Sequence, residues 1–247
     1  MTTASSLPGE IQDVPAFVFP PSPVVGLPVT GISALFPVRR VFCIGRNYAD
    51  HAREMGHNPD REPPFFFMKP ADAVLVPGRP FVYPTRSSEV HHEVELVVAL
   101  KSGGADIPAQ IAVGHVFGYA VSLDMTCRDL QAEAKRLQRP WEIGKAFDGS
   151  APIGPLTSAA ELGLLEAGTI TLDVNGVRRQ TGDLNQMIWS IAEIIAHVSR
   201  HFPLRAGDLI MTGTPAGVGP VTIGDRLVGA IAGLRPLAVD VVAASLS

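Results

Sequence analysis

Residues 89–100, "EVHHEVELVVAL", set a condition that any fold of this chain has to meet. The run has the β-branched, apolar character of a buried strand, yet it carries three glutamates and two histidines. A strand turns successive side chains to opposite faces, so Glu89, His91, Glu93 and Glu95 share one face. Val90, His92, Val94, Leu96 and Val98 share the other. Carboxylates about 7 Å apart on one face repel unless the face is wet or a cation stands between them. On the same alternation His91 faces the glutamates, where it would orient one of them, and His92 faces the apolar side as a hydrogen-bonded core histidine.

The rest of the chain favours strands. Its 247 residues hold 24 glycines and 22 prolines, a turn-rich composition that suits a β-rich body better than a helix bundle. "VRRVFCIG" (38–45), "PFFFMK" (64–69), "HVFGYAVSLD" (115–124) and "GDLIMT" (207–212) read as strands. Asn175-Gly176 between two alternating runs is a hairpin signal, and the C-terminal "DRLVGAIAGLRPLAVDVV" reads as a second hairpin. Helices are expected at 47–56, capped by Asn47 and stopped by Gly56, and after Thr126 and Asp129, with Leu130, Ala134 and Leu137 as the apolar stripe. A third runs over 190–202, with Ile191, Ile194, Ile195, Val198 and Phe202 at helical spacing. With no regular βα alternation, the body is α+β, mainly β. Residues 1–36, rich in Pro, Ser and Gly, read as an extension wrapped on a body that spans 37–247.

Charge and cysteine content narrow the partners. A net charge of −4 and no basic run argue against nucleic acid. No apolar run approaches the roughly 20 residues of a membrane span, and the first residues lack a secretory pattern, so the expectation is a cytoplasmic protein. Cys43 and Cys127 form no CxxC pattern and are expected as reduced thiols.

Four groups of residues have chemical potential. Glu93 and Glu95 on one strand face, with Asp124 ending another strand, make an all-oxygen ligand set suited to Mg²⁺, Mn²⁺ or Ca²⁺. The residues alone leave a solvated strand face equally open. His51 and Glu54, three apart on a helix, could form a base dyad or be surface decoration. Lys145 lies between Gly and Pro residues, where a lysine is usually solvated. "GTPAGVG" (213–219) lacks a P-loop lysine, and its backbone N–H groups with Thr214 suit a carboxylate better than a nucleotide.

In this order, "FCIGRNYADHAREMG", "PFFFMKPADAVL", "HHEVELVVAL", "GYAVSLDMTCRDLQ", "RPWEIGKAFDGSAPIGP" and "GDLIMTGTPAGVGPV" resemble the fumarylacetoacetate hydrolase superfamily from residue 38 to about 235. The resemblance implies a mixed β-sandwich roll of that family's C-terminal-domain type, usually a homodimer. It implies Glu93, Glu95 and Asp124 as ligands of Mg²⁺ or Mn²⁺, and His51 with Glu54 as activators of water on a segment that orders over substrate. Lys145 and Arg46 would hold substrate oxygens and Thr214 a carboxylate. Gln180, Asn185 and Gln186 would lie near the distal end of the substrate. The implied reaction is hydrolysis of a C–C bond in a small 2,4-diketo acid, with fumarylpyruvate the expected substrate. Within the superfamily, oxaloacetate decarboxylation and diene-diacid isomerisation or hydration are the rivals. Outside it, the rival is a metal-binding module without catalysis.

Overall fold

The computed structural model describes residues 17–54 and 63–244, the side chains of Ala52 and Glu54 excepted. Its backbone is a mixed six-stranded sheet packed on a five-stranded one. The larger sheet runs in the order Thr157–Ser158, Val116–Leu123, Val94–Leu100, Asp208–Met211, Arg40–Gly45, Phe65–Lys69. All its neighbours are antiparallel except Asp208–Met211 beside Arg40–Gly45. The smaller runs Val177–Asp183, Thr169–Val174, Arg226–Ile231, Leu237–Val242, Phe81–Val82. The mainly-β expectation holds.

Both faces of the larger sheet are covered, which is why its strands read as nearly unbroken apolar runs. Leu96, Val98 and Leu100 join the core shared with Ile170, Leu172 and Leu227 of the smaller sheet. Val97 and Ala99 point the other way, into a second core with Val41, Cys43, Leu209 and Ile153. The short antiparallel pair Gly26–Pro28 and Leu35–Pro37 contributes Leu27 and Phe36 to that second core. Cys43 and Cys127 are buried and unpaired.

Several expected elements stand as read. Asn175 and Gly176 both take positive φ at the tip of the Thr169–Val174/Val177–Asp183 hairpin. Ile191–His201 is a helix with a capping box between Ser190 and Glu193, and it buries Ile191, Ile194, Ile195 and Val198. The C-terminal hairpin is formed by Arg226–Ile231 and Leu237–Val242.

Three local readings need correction. The stretch 89–100 is two strands, not one. Val90–His92 pairs with Gly219–Val221 and Thr126–Cys127, and the chain crosses at Glu93 into Val94–Leu100 of the large sheet. Glu89 therefore leaves the shared face and is half exposed. Asn47 does not cap a helix: its fully buried amide donates to Trp189 O and Thr212 O and accepts from Trp189 N–H, pinning the loop before Ala49–Glu54. Thr126 is likewise no cap. It sits in a strand two residues before the helix Arg128–Arg136, and its hydroxyl bonds to Asp124 O.

A register shift at Leu172/Asp173 leaves Arg179 as an extra residue and turns Gln180 inward from an otherwise exposed strand. Its Oε1 accepts from Val94 N–H and from His92 Nδ1, and its Nε2 donates to Thr214 Oγ1 and Pro215 O. Gln180 is thus a strut with no donor or acceptor to spare, not a substrate contact. It also confirms His92 as a satisfied core histidine, held neutral because burial lowers its pKa. Gln180→Leu should cost at least about 2 kcal/mol, because it strands the buried Val94 N–H and the His92 ring. Urea denaturation would show it as a lower midpoint at unchanged slope.

Candidate metal centre and active cleft

The cleft opens where several strands of the large sheet end. Glu93 comes from the crossing between Val90–His92 and Val94–Leu100, Glu95 from the second residue of Val94–Leu100, and Asp124 from the residue after Val116–Leu123. The backbone bond from Asp124 N–H to Glu93 O, 2.8 Å, holds two of the three in register. Each offers a carboxylate oxygen within 4.8 Å of the others, and all three are buried. Glu93, Glu95 and Asp124 form a group suited to hold a divalent metal.

Three cations stand among them, Lys69 and Lys145 buried and Arg128 partly so. Lys145 Nζ donates to Glu93 Oε2 at 2.8 Å, Asp124 Oδ2 at 2.7 Å and Thr126 Oγ1 at 2.6 Å, which uses all three ammonium hydrogens. Arg128 Nη2 donates to Glu93 Oε1. Lys69 Nζ lies 2.9 Å from Asp124 Oδ1 and also donates to Ser150 Oγ and to Lys145 O. Lys145 is not the solvated loop lysine its flanks suggest. It closes the short helix Glu142–Lys145 and is 3% exposed.

The electrostatics divide the three carboxylates. Burial raises the pKa of Glu93, but Lys145 and Arg128 outweigh it and hold the group well below the usual carboxylate range. Lys145 is held well above its ordinary value: burial opposes its charge, and Asp124 and Glu93 more than compensate. Glu95 goes the other way, pushed well up by burial and then by Asp124 and Glu93. It accepts from Gly213 N–H at Oε2, 2.8 Å, and among the described residues it has no ion pair.

These observations fit a divalent cation. Burial and its neighbouring carboxylates make Glu95 resist ionisation, and Asp124 Oδ1, though near Lys69, accepts no aligned hydrogen bond. A hard cation bound by oxygen ligands supplies what both lack.

The remaining wall carries His51, Arg46, Thr214, Phe65, Phe67 and Trp141 around a space of roughly 470 Å³. His51 is 8% exposed. Its proposed partner Glu54 has a side chain outside the described residues, as does the stretch 55–62 that would end this helix. Arg46 takes φ +57 just past Arg40–Gly45, and this left-handed step turns the chain from sheet to helix beside the cleft. Thr214 lines the cleft and accepts from Gln180 Nε2.

Other expected contacts are placed elsewhere. Gln186 lines a neighbouring cavity with Tyr48 and Pro215, where its Oε1 accepts from Asp183 N–H and closes a tight turn. Asn185 belongs to the same turn. His91 bonds none of the three ligand carboxylates directly: its Nε2 pairs with Glu89, and its Nδ1 accepts from Nε of Arg128, the arginine that donates to Glu93. Lys69, Arg128 and Gln131 were not singled out by sequence. Lys69 had one signal, a lysine ending an apolar strand, where a buried charge needs a partner.

A mixed double sheet with a buried Glu-Glu-Asp set and its own lysines defines a class of enzyme built around a divalent metal. The comparisons specify it further. The family model for the fumarylacetoacetate hydrolase C-terminal domain matches residues 40–242, and the chain belongs to that family. It is 54% identical to fumarylpyruvate hydrolase from Pseudomonas aeruginosa, whose crystal structure is a complex with Mn²⁺ and pyruvate; the match covers 93% of this chain and 100% of that one at a TM-score of 0.90. A putative fumarylpyruvate hydrolase from Burkholderia cenocepacia is 50% identical over 94% of this chain and 100% of its own, with a TM-score of 0.87. An oxaloacetate tautomerase of Escherichia coli is 42% identical over 78% of this chain and 88% of its own.

The state of Glu95 gives a proton count for metal binding. A carboxyl whose folded pKa is raised stabilises the fold below its unfolded pKa, and that contribution is lost as pH rises through the folded value. Glu95 thus holds its proton to higher pH than an ordinary carboxyl, and a bound cation competes with that proton. Mn²⁺ binding should therefore release protons and tighten as pH rises. Calorimetry in buffers of different ionisation enthalpy reads this directly, and Glu95→Gln should abolish the release.

Proposed function

We propose that this protein hydrolyses the C–C bond of an acylpyruvate, with fumarylpyruvate as substrate and fumarate and pyruvate as products. The observation that carries the reading is His51 on the same cleft wall as the Glu93, Glu95 and Asp124 set. A pure metal-binding module has no use for a buried imidazole there. Decarboxylation of a 2-keto diacid needs no water to be activated.

The roles follow from the chemistry. His51 takes a proton from water as it adds to the carbonyl carbon distal to the pyruvoyl group, with Glu54 orienting the imidazole. The bond between that carbon and the neighbouring methylene breaks, and its electron pair stays on the methylene carbon, conjugated with the 2-keto oxygen. A divalent metal, Mg²⁺ or Mn²⁺, held by Glu93, Glu95 and Asp124 supplies Lewis-acid stabilisation of that charge. Lys145 adds its ammonium where water is excluded, exchanging one of its three present acceptors for a substrate oxygen. Arg46 and Thr214 face the substrate's remaining oxygens. Protonation of the methylene carbon completes pyruvate. As in the family it belongs to, we take the working unit to be a homodimer.

The tautomerase relative supports a second reading, in which the same cleft interconverts keto and enol oxaloacetate. Side-by-side kcat/KM values on fumarylpyruvate, acetylpyruvate and oxaloacetate separate the two. Fumarylpyruvate should exceed acetylpyruvate by on the order of 10², since a site built for a second carboxylate leaves polar groups unpaired without it. His51→Ala should lower hydrolysis by roughly 10²–10⁴-fold and keep Mn²⁺ binding. Chelation should abolish activity, and Mn²⁺ or Mg²⁺ should restore it. A clear preference for oxaloacetate would overturn the hydrolase reading.

A further inference from the structure

The cleft holds more positive charge than its carboxylates use. The helix Arg128–Arg136 presents Arg128, Gln131 and Lys135 to it, at the i, i+3, i+7 spacing of one helical face. Two of these three are engaged deep in the cleft. Arg128 reaches Glu93, and its Nη1 donates to Gln131 Oε1 at 2.7 Å. Lys135, a turn further out, stands at the solvent-facing rim. Arg46 lines the cleft too, and among the described residues neither Arg46 nor Lys135 is paired with a carboxylate.

Both cations instead lie against aromatic rings. The Arg46 guanidinium carbon is 5.2 Å from the centroid of Phe65, and Lys135 Nζ is 5.0 Å from that of Trp141. Phe65 and Trp141 meet edge to face, with centroids 5.5 Å apart and planes at 88°. Cation, ring, ring and cation therefore form one continuous wall. A cation–π contact at a partly exposed site is worth only about 0.5–1 kcal/mol, so the rings place these charges without consuming them. Partial burial of its stem, with Arg128, Arg46 and Lys145 nearby, lowers the pKa of Lys135.

We propose that Lys135, backed by Arg46, is a second anion subsite that takes the carboxylate at the distal end of the acyl chain and selects dicarboxylate acylpyruvates. Trp141 is its positioning residue. The inference rests on the hydrolytic reading above and adds what that reading lacks, the group that tells a fumaryl from an acetyl substituent. It also moves distal recognition from Gln180 and Gln186, which are engaged elsewhere, to the opposite wall.

The test uses the Mn²⁺-loaded full chain and the ratio of kcat/KM on fumarylpyruvate to that on acetylpyruvate. Lys135→Gln should lower this ratio about tenfold or more, chiefly through KM for fumarylpyruvate, and Lys135→Arg should recover most of it. Trp141→Leu should lower the ratio in the natural background but not in Lys135→Gln, as expected of a residue that acts through Lys135. An unchanged ratio in Lys135→Gln would overturn the subsite. If the natural protein hydrolyses neither substrate, the hydrolytic reading has failed by itself. The subsite is then read by calorimetry with fumarate and pyruvate as separate ligands. Lys135→Gln should weaken fumarate selectively, and equal weakening of both, or of neither, would overturn it.

Discussion

Three carboxylates buried side by side could not all stay ionised in a dry interior unless cations were delivered to them, and much of the local architecture is that delivery. Lys69 arrives at the end of an edge strand, Lys145 at the end of a one-turn helix, and Arg128 at the start of a longer one. Each is set by a different segment, so the Glu93–Asp124 pair ties together regions far apart in sequence. Removing one member of such a pair strands a buried charge, at a typical cost of 3–5 kcal/mol. The ion pairs are therefore poor candidates for net stabilisation and good ones for keeping a single arrangement of the site.

Glu95 shows the same constraint from the opposite side. It receives a backbone N–H instead of a cation, and that donor depends on an unusual backbone. Gly213 has φ +96, and a Cβ there would lie 2.8 Å from Asn47 Cβ. Asn47 in turn holds Thr212 O and both polar groups of Trp189's backbone. The glycine lets the loop after Asp208–Met211 approach close enough to reach Glu95, and the asparagine fixes where that loop lies. The carboxylate left without a cation is the one whose chemistry changes most when a divalent ion binds.

Sequence periodicity revealed the strands, the Asn175-Gly176 hairpin and the helix expected over 190–202, because each is specified by residues within a few positions of one another. The Glu93, Glu95 and Asp124 set was legible for a related reason: two members are two residues apart at the start of a strand, and the third follows the end of its neighbour. Failures came where tertiary contacts decide. Nothing local marks the crossing at Glu93, which comes from strand pairing with Gly219–Val221. The bulge at Arg179 reverses which side Gln180 faces, so a residue expected near the distal end of the substrate became a core strut. Lys69 and Arg128 are ordinary basic residues in sequence, and only their burial against Asp124 and Glu93 gives them meaning.

Relatives of 42–54% identity carry hydrolase and tautomerase names, so neither the fold nor overall similarity selects the reaction. In this chain the carboxylates and the inner cations are committed to one another, which leaves them little freedom to discriminate between substrates. A bound divalent cation would add positive charge to the inner site and favour an anionic ligand there. Arg46 and Lys135 carry no ion pair among the described residues and stand on the outer part of the same cleft. On the proposed reading, two ring-held cations can change with substrate while the inner ion pairs stay fixed. Specificity in such a site belongs to its rim.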